Sequence, residues 1–361
     1  MVTVTVAIAA WNSSTTIAEC IRSALDQIDV TSQVLVVDDG SFDNTVEIAE
    51  KCGARVIRLS DNGGPGRARN VALDTASTDW LAVLDSDDQM EPWRLRDMLK
   101  IAQEHDADVV LGNLSRVDED GRPIDGLPFV NGPDYEEPIP LDLDTYIVRN
   151  HDPHRRGALG YLKPLLRVDF CNKNGIRYPT ETYNGEDYHL MLSCLAADAR
   201  VIFSPAPDYI YTSRRGSISH RVDPSHIEPL IQADRAFVAQ HASRLSNLAR
   251  KVFADRQVML DRTRYTEIVL QSLKRGDLRA AVSALAQRPS AIGMIGAKFL
   301  EAGSKRLLSK GCANRRTPRP SGEFTITQRG GGSLLKGSSG GGTHSSSTST
   351  ERDDSGTSAP R

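Results

Sequence analysis

The most informative segment of this 361-residue chain is Trp80-Leu81-Ala82-Val83-Leu84-Asp85-Ser86-Asp87-Asp88. Its leading apolar residues predict a strand buried on both faces, which is typical of a parallel sheet. In open α/β sheets, ligands bind just beyond the carboxyl ends of the strands, where these aspartates stand. Alternation places Asp85 and Asp87 on one side, close enough to hold a hard cation such as Mg²⁺ or Mn²⁺. We expect Asp87 to bind the metal directly and Asp85 to contact a ribose or a metal-bound water.

A second interpretation of this segment is helix capping. A D-x-D triplet alone is a weak motif, and Asp88 is explained well as a cap ahead of a helix that begins at Pro92. The position of the triplet directly after a buried strand favours ligand binding for Asp85 and Asp87.

Strand and helix patterns alternate around this segment over the first 112 residues. The predicted strands are Val2–Ala9, Gln33–Asp38, Ala54–Leu59, Trp80–Leu84 and Asp108–Leu111, and the helices between them begin near Ser14, Asp43, Arg67 and Pro92. Repeated βα units predict an α/β fold with a mostly parallel sheet covered by helices.

The pattern changes after Gly112. A mixed region follows, and helical periodicity then covers Ile227–His241, Ser243–Phe253, Tyr265–Lys274 and Leu278–Ala286. From about Ser304 the chain is poor in apolar residues and rich in Gly and Ser, which predicts a disordered tail because too little surface can be buried to offset the ordering entropy.

Charge and cysteine content narrow the function classes. The chain has a formal net charge of −3, yet the tail is basic, so the body is acidic. A basic tail can contact anionic lipid or nucleic acid, but a solvated linker explains it better. Five scattered cysteines fit a reducing cytoplasm and argue against a disulfide framework or a zinc site. The sequence contains neither a signal-peptide pattern nor a run of 18 apolar residues, so we expect no membrane span.

A second acidic motif, Val36-Val37-Asp38-Asp39-Gly40-Ser41, also ends a predicted strand. A carboxylate at this place can accept a hydrogen bond from a base N–H or a ribose hydroxyl. The same residues also suit a turn with a helix cap. Either Asp38 or Asp39 can be the binding residue, with the other shaping the turn.

A glycine-rich segment, Asp61 to Asn70, carries Arg67 and Arg69 at the start of a helix. Glycines let the backbone approach a ligand closely, and a helix N-terminus favours anions, so this segment suits a diphosphate or a base. Neither a P-loop lysine nor a dinucleotide-binding glycine pattern after the first strand is present. A flexible loop with solvated arginines is the competing interpretation.

Two further motifs lie downstream. Asn184-Gly185-Glu186-Asp187-Tyr188 opens an apolar helix, where acidic residues are common as caps. The segment from Tyr209 to His220 contains Arg214-Arg215-Gly216-Ser217, which suits a loop that covers a phosphate, although an ordinary surface loop explains it equally well.

Taken together, these segments resemble the family-2 glycosyltransferases of GT-A fold. The matching series is Val6 to Asn12, Val36 to Ser41 with Asp43, Asn62 to Asn70, Trp80 to Asp88, Gly185-Glu186-Asp187, and Arg214 to Ser219. Order and spacing agree over about residues 1–220. Family members usually carry Pro then Tyr where this chain has Ala10-Trp11, so the aromatic ring is retained and can still stack on a base.

The resemblance implies roles for these residues. The donor is a nucleoside-diphosphate sugar, usually a UDP-sugar, and the cofactor is Mg²⁺ or Mn²⁺. The implied nucleotide-sugar contacts are Ala9, Trp11, Asp38 or Asp39, Arg67, Arg69, Asp85, Arg214, Arg215 and Ser217. Asp87 and Asp85 would hold the metal, and Asp187 would be the catalytic base with Glu186 beside it.

The resemblance also implies a domain plan and an acceptor. Residues 1–220 would form the GT-A domain, with a nucleotide-binding half (1–112) and an acceptor half (113–220). A helical region (221–303) and the basic, Gly/Ser-rich tail (304–361) would follow. The chain is similar to bacterial exopolysaccharide enzymes, including succinoglycan-type glucosyltransferases that extend a lipid-linked oligosaccharide. Such an enzyme would be cytoplasmic, with peripheral contact at the inner face of the cell membrane, and would bind no nucleic acid.

Two other function classes compete with an inverting glycosyltransferase. A nucleotidyltransferase that makes a sugar nucleotide also places an Mg²⁺-binding aspartate on an α/β sheet, but it would be expected to carry a Gly-rich loop with a lysine after the first strand. A non-catalytic nucleotide-binding scaffold would not need Asp85, Asp87 and Asp187 together.

Overall fold

The structure is a computed structural model that describes residues 2–151, 157–214 and 223–296. Arg215 and Ser217, two of the predicted nucleotide-sugar contacts, lie outside the described residues, as does the predicted disordered tail 304–361. The expectations for these residues therefore stay predictions.

Strands and helices alternate in the amino-terminal part of the chain. The elements are β1 (Val2–Ala10), α1 (Ile17–Leu25), β2 (Val30–Asp38), α2 (Thr45–Lys51), β3 (Arg55–Arg58), α3 (Pro65–Thr75), β4 (Trp80–Asp85), β5 (Gln89–Met90), α4 (Arg94–Glu104) and β6 (Val109–Val117). Strand β6 runs past Gly112, where we expected the regular pattern to stop, because after a shift in register it continues to pair with a later strand.

Short elements and then long helices make up the rest. They are a 3₁₀ turn (Pro133–Tyr135), β7 (Ile139–Leu141), α5 (Leu143–Asn150), a second 3₁₀ turn (Leu159–Tyr161), β8 (Lys163–Arg167), α6 (Val168–Lys173), α7 (Glu186–Ala196), β9 (Val201–Thr212), α8 (Pro224–Gln240), α9 (Asn247–Lys274) and α10 (Leu278–Gln287). None of the helices in the described ranges is long and apolar enough to cross a membrane.

The predicted break between Phe253 and Tyr265 is wrong, because α9 is continuous through it. The residues between them are mostly polar, so apolar periodicity fails to mark the helix. Two of them nevertheless face α8 through ion pairs, Arg256 with Asp234 at 2.7 Å and Arg264 with Glu228 at 2.9 Å.

The expected α/β fold with a mostly parallel central sheet is confirmed. The strand order is β3-β2-β1-β4-β8-β6-β9-β5, and β7 pairs with β9 outside this linear order. The longest ladders, β1 with β2 and β6 with β9, are parallel, and antiparallel pairing involves the shorter strands β5, β7 and β8.

The core lies between this sheet and its helices. The predicted apolar runs Val34–Val37 and Leu81–Leu84 are almost fully buried. Helix α1 turns Ile17, Ile21 and Ala24 to the sheet, at the spacing of one helical face. Each large aliphatic side chain buried in this way contributes about 1.5–3 kcal/mol to folding.

Strand register brings the acidic motifs to one edge of the sheet. Ala9 of β1 lies opposite Val37 of β2 on one side and opposite Asp85 of β4 on the other. The ends of these three parallel strands are therefore level, and the residues that follow them share the edge where ligands bind in sheets of this kind.

Candidate active site

Two buried cations hold three acidic side chains together at this edge. The Arg69 guanidinium on α3 donates to Asp85 Oδ1 at 2.6 Å, Glu186 Oε1 at 2.7 Å and Asp187 Oδ1 at 3.1 Å. The Lys163 ammonium at the start of β8 lies 2.9 Å from Asp85 Oδ2 and 2.6 Å from Asp187 Oδ2. The metal motif and the predicted catalytic pair therefore form one cluster, although Arg69 and Glu186 are 117 positions apart.

The pKa values of the cluster follow its charges. Burial alone would raise the pKa of Asp85, but Lys163 and Arg69 outweigh it and hold that pKa well below its usual range. Burial would lower the pKa of Lys163, but Asp187 and Asp85 keep it above its usual range. Burial and the neighbouring Asp187 raise the pKa of Glu186, against the opposing effects of Arg69 and Lys163. Asp85 and Lys163 are therefore charged at neutral pH, and the charge of Glu186 is less stabilised than that of Asp85.

Asp88 links the segment after β4 to strand β9 through hydrogen bonds. It is 1% exposed and accepts hydrogen bonds from the Tyr209 hydroxyl at 2.7 Å and the Thr212 N–H at 2.8 Å. The same hydroxyl accepts from the Asp85 N–H at 3.0 Å. The expectation that Asp88 caps the helix after Pro92 is therefore wrong, because both carboxylate oxygens are bound to β9.

Asp87 differs from Asp85 in its surroundings. Its side chain is 41% exposed, and Arg214 Nε lies 3.8 Å from its Oδ2. Burial and the negative charge of Asp85 raise the pKa of Asp87, and the positive charge of Arg214 only partly offsets this. Its negative charge is thus incompletely neutralised.

These features fit a divalent cation at Asp87. Among the described residues, no group of three or more His, Cys, Asp and Glu side chains could enclose a metal ion. Mg²⁺ usually binds through one or two carboxylates together with substrate phosphates, so a closed protein cage is not required. Because both oxygens of Asp85 already contact cations, its carboxylate is less available to a metal than that of Asp87, and metal binding by either residue stays a prediction.

Asp38 and Asp39 have different partners. Asp39 accepts from the Gly63 N–H at 3.0 Å and the Gly64 N–H at 2.7 Å, and so shapes the glycine-rich loop. Asp38 Oδ2 accepts from the Ser41 N–H at 3.1 Å, whereas its buried Oδ1 has no hydrogen-bond partner among the residues the structure describes. Ala9 is half-buried at the end of β1, and Trp11 beyond it is 45% exposed.

Comparison with known proteins agrees with this geometry. Residues 5–157 match the family model described as Glycosyl transferase family 2. The succinoglycan biosynthesis protein ExoO of Rhizobium meliloti (strain 1021) is 36% identical over 292 residues, which cover 80% of this chain and 82% of ExoO. The chain belongs to glycosyltransferase family 2.

Two further proteins extend this comparison. The succinoglycan biosynthesis protein ExoU of the same organism is 32% identical over 253 residues, covering 68% of this chain and 71% of ExoU. The crystal structure of S. aureus TarS residues 1–349 in complex with UDP-GlcNAc is 23% identical, with a TM-score of 0.52, and covers 80% of this chain and 92% of that one. The latter likeness concerns the fold.

The two arginines of the glycine-rich segment, both predicted nucleotide-sugar contacts, are separated in this glycosyltransferase. Residues two positions apart on a helix face different sides. Arg67 therefore lies at the surface, where it pairs with Asp61 at 2.9 Å, while Arg69 points inward and is 4% exposed. Arg67 and Arg69 therefore have different surroundings, and contact of either with the nucleotide stays a prediction.

Sequence reasoning missed Lys163. It stands before the apolar residues Pro164-Leu165-Leu166 with no acidic neighbour, and nothing local distinguishes it from a surface lysine. Lys163 lies at the ligand edge because β8 runs antiparallel to β4, which brings the amino end of β8 level with the carboxyl end of β4. The local sequence gives no signal of that strand direction.

Proposed function

We propose that this glycosyltransferase transfers a sugar from a UDP-sugar to a saccharide acceptor with inversion at the anomeric carbon. The observation that carries the proposal is the Arg69–Lys163 cluster, which holds Asp187 close to Asp85 of the strand-end motif. A base placed beside the donor site is what a single in-line displacement requires.

On the donor side, we assign the nucleotide to the level ends of β1, β2 and β4. Trp11 and Ala9 would line the base pocket, and Asp38, with its unpartnered buried oxygen, would accept from the base. Asp85 would contact the ribose. TarS, a protein of similar fold, has been crystallised in complex with UDP-GlcNAc, and we propose a donor of the same class here.

Charge neutralisation at the diphosphate would come from Asp87 through its metal and from Arg214. A bound Mg²⁺ or Mn²⁺ supplies Lewis-acid stabilisation of the leaving diphosphate. Arg214, which lies within 3.8 Å of Asp87, would approach the same phosphates, with Arg215 and Ser217 following it in the chain.

In the chemical step, Asp187 takes the proton from an acceptor hydroxyl while that oxygen attacks the anomeric carbon opposite the diphosphate. Each carboxylate oxygen has two lone pairs, so the contacts of Asp187 with Arg69 and Lys163 leave acceptor capacity for the hydroxyl. One displacement converts an α-linked donor into a β-linked product, and no covalent sugar intermediate is formed.

For the acceptor, we propose a growing, lipid-linked oligosaccharide of exopolysaccharide biosynthesis, with glucose as the sugar transferred. Similarity to ExoO and ExoU, both named for succinoglycan biosynthesis, supports this assignment. Such an acceptor places the enzyme at the inner face of the cell membrane, through peripheral contact.

The test is turnover with a panel of UDP-sugars and lipid extracts from an exopolysaccharide-producing bacterium, with Mn²⁺, Mg²⁺ or EDTA. We expect acceptor-dependent and metal-dependent release of UDP, labelled sugar in the lipid fraction and a β-linked product by NMR. Sugar-nucleotide synthesis from a nucleoside triphosphate would instead indicate a nucleotidyltransferase. UDP binding without turnover on any donor would indicate a scaffold.

A further inference from the structure

Lys163 joins the donor end of the site to the base, as Arg69 does, but unlike Arg69 it belongs to none of the motifs found in the sequence. Its side chain is 8% exposed, and its ammonium contacts both Asp85 Oδ2 and Asp187 Oδ2. Arg69 contacts the other oxygen of each carboxylate, Asp85 Oδ1 and Asp187 Oδ1. The two carboxylates are thus bridged twice, once by a rigid guanidinium and once by an ammonium.

The backbone of Lys163 is itself fixed in place. Arg94 is 1% exposed and donates from Nη2 to the Lys163 carbonyl at 3.0 Å. The Arg94 guanidinium is also paired with buried Asp208, and it leaves no room for a side chain at Gly112 on the adjoining strand β6. The Lys163 side chain therefore extends from a backbone position that is fixed at the start of β8.

Electrostatics shows why two bridges are needed. Glu186 and Asp187 are buried and Asp85 is half-buried around Arg69, and without Lys163 one guanidinium would face all three acids. Removing one partner of a buried ion pair is strongly destabilising because it leaves an uncompensated charge. Asp187 would then move away from Asp85, because only Arg69 would still bridge the two carboxylates.

We propose that Lys163 is a positioning residue of the transfer reaction, which sets the distance between the base Asp187 and the donor-binding Asp85. The proposal rests on the proposed function for its kinetic part only. Its prediction is a loss in kcat, since a misplacement of about 1 Å in a catalytic group costs about 100-fold in rate. Donor binding should change little, because Arg69 still holds Asp85 through its Oδ1 at 2.6 Å.

The kinetic experiment compares Lys163→Met, Lys163→Arg and the control Lys173→Met, which alters an exposed lysine of α6 that pairs with Asp169. We expect K163M to lower kcat about 100-fold with donor KM within about threefold of wild type. K163R keeps the charge and should retain more of kcat than K163M, and K173M should match wild type. A kcat for folded K163M within threefold of wild type would overturn the proposal.

A second experiment tests the ion pair between Lys163 and Asp187 without measuring turnover. Thermal unfolding is measured for K163M, Asp187→Asn and the double variant. We expect K163M to lower Tm, and D187N to restore part of this loss in the K163M background, because one unpaired buried charge is removed. Strictly additive Tm shifts would overturn the bridge. Thermal unfolding needs no donor. If the wild-type protein showed no turnover, the proposed function would be rejected, but the unfolding experiment would still test the ion pair between Lys163 and Asp187.

Discussion

At the scale of single residues, two aspartates two positions apart have opposite electrostatic surroundings. Asp85 contacts Arg69 and Lys163, and its pKa is depressed. Arg214 Nε lies 3.8 Å from Asp87 Oδ2. Burial and the negative charge of Asp85 together raise the pKa of Asp87. The first carboxylate is therefore a fixed anion of the scaffold, and the second is the one whose charge a bound cation would stabilise.

Replacing Asp187 with Asn should abolish transfer and leave nucleotide binding intact. Asn cannot take the acceptor proton, and general-base catalysis typically contributes about 10²–10⁴-fold to the rate. The measurement is kcat for UDP release, with titration calorimetry of UDP and Mn²⁺ alongside. Asp169→Asn, at an exposed position of α6, is the matched control. Transfer at the wild-type rate by D187N would show that another residue is the base.

Replacing Asp87 with Ala should weaken UDP binding in Mn²⁺ toward the affinity measured in EDTA. In the proposed function a metal held by this carboxylate would contribute to diphosphate binding, so the metal-dependent part of the affinity should be lost. Calorimetric titrations of UDP with and without Mn²⁺ measure it. Asp120→Ala, at a turn where the side chain is 66% exposed, should behave like wild type. An unchanged difference between Mn²⁺ and EDTA would reject Asp87 as the ligand.

At the scale of elements, sequence reasoning found what is encoded locally. An apolar run followed by Asp85 and Asp87 marks a strand and its ligand edge without knowledge of any other segment. The partners of these residues could not be found in this way, because Lys163 and Arg69 meet the acids only after the sheet and α7 have formed. The inner position of Arg69 depends on how α3 is docked.

Helix α3 is docked against the segment before α7 by close backbone approach. A Cβ added at Gly66 would lie 2.6 Å from the Pro179 carbonyl oxygen. Asn70, one turn along, exchanges hydrogen bonds with the backbone of Tyr178, from Nδ2 to the carbonyl at 2.9 Å and from the N–H to Oδ1 at 2.8 Å. Arg69 lies over the Tyr178 ring. The docking of α3 therefore sets the direction of the Arg69 side chain.

Gly66→Ala should force α3 away from this segment, because the carbonyl is backbone and has no alternative rotamer. Overpacking of this kind costs about 1–3 kcal/mol in the free energy of unfolding, and Arg69 should shift with the helix. Urea unfolding and kcat of the same sample measure the two effects. Gly296→Ala, where an added Cβ meets nothing within 4 Å, is the control. Equal stability of the two variants would contradict the close approach.

At the scale of the whole molecule, helices α8 and α9 pack against α7. Asp234 of α8 is fully buried, with Arg256 Nε of α9 at 2.7 Å and His189 Nε2 of α7 at 3.2 Å. Arg256 also lies over the ring of Tyr188, whose hydroxyl is 3.2 Å from His151 Nε2. The helix that carries Glu186 and Asp187 is thus held between the sheet and α8–α9, so its position depends on folding of the whole described body.

This arrangement predicts a loss of stability in mild acid. Burial, and then the charge of Arg256, lowers the pKa of His151 from 6.5 to about 4. Between these values the unfolded chain binds a proton that the folded chain does not, so the free energy of unfolding should fall as pH drops from 6.5 to 4, by up to about 3 kcal/mol. Urea unfolding at pH 7 and pH 4.5 measures the difference.

His151→Gln should reduce that difference, because glutamine can still bond Tyr188 but does not titrate, whereas His105→Gln at an exposed site should leave it unchanged. If H151Q lost as much stability as wild type between the two pH values, the acid sensitivity would have to come from other groups. The effect should be visible in global unfolding, because α5, which precedes His151, packs against both α7 and α9.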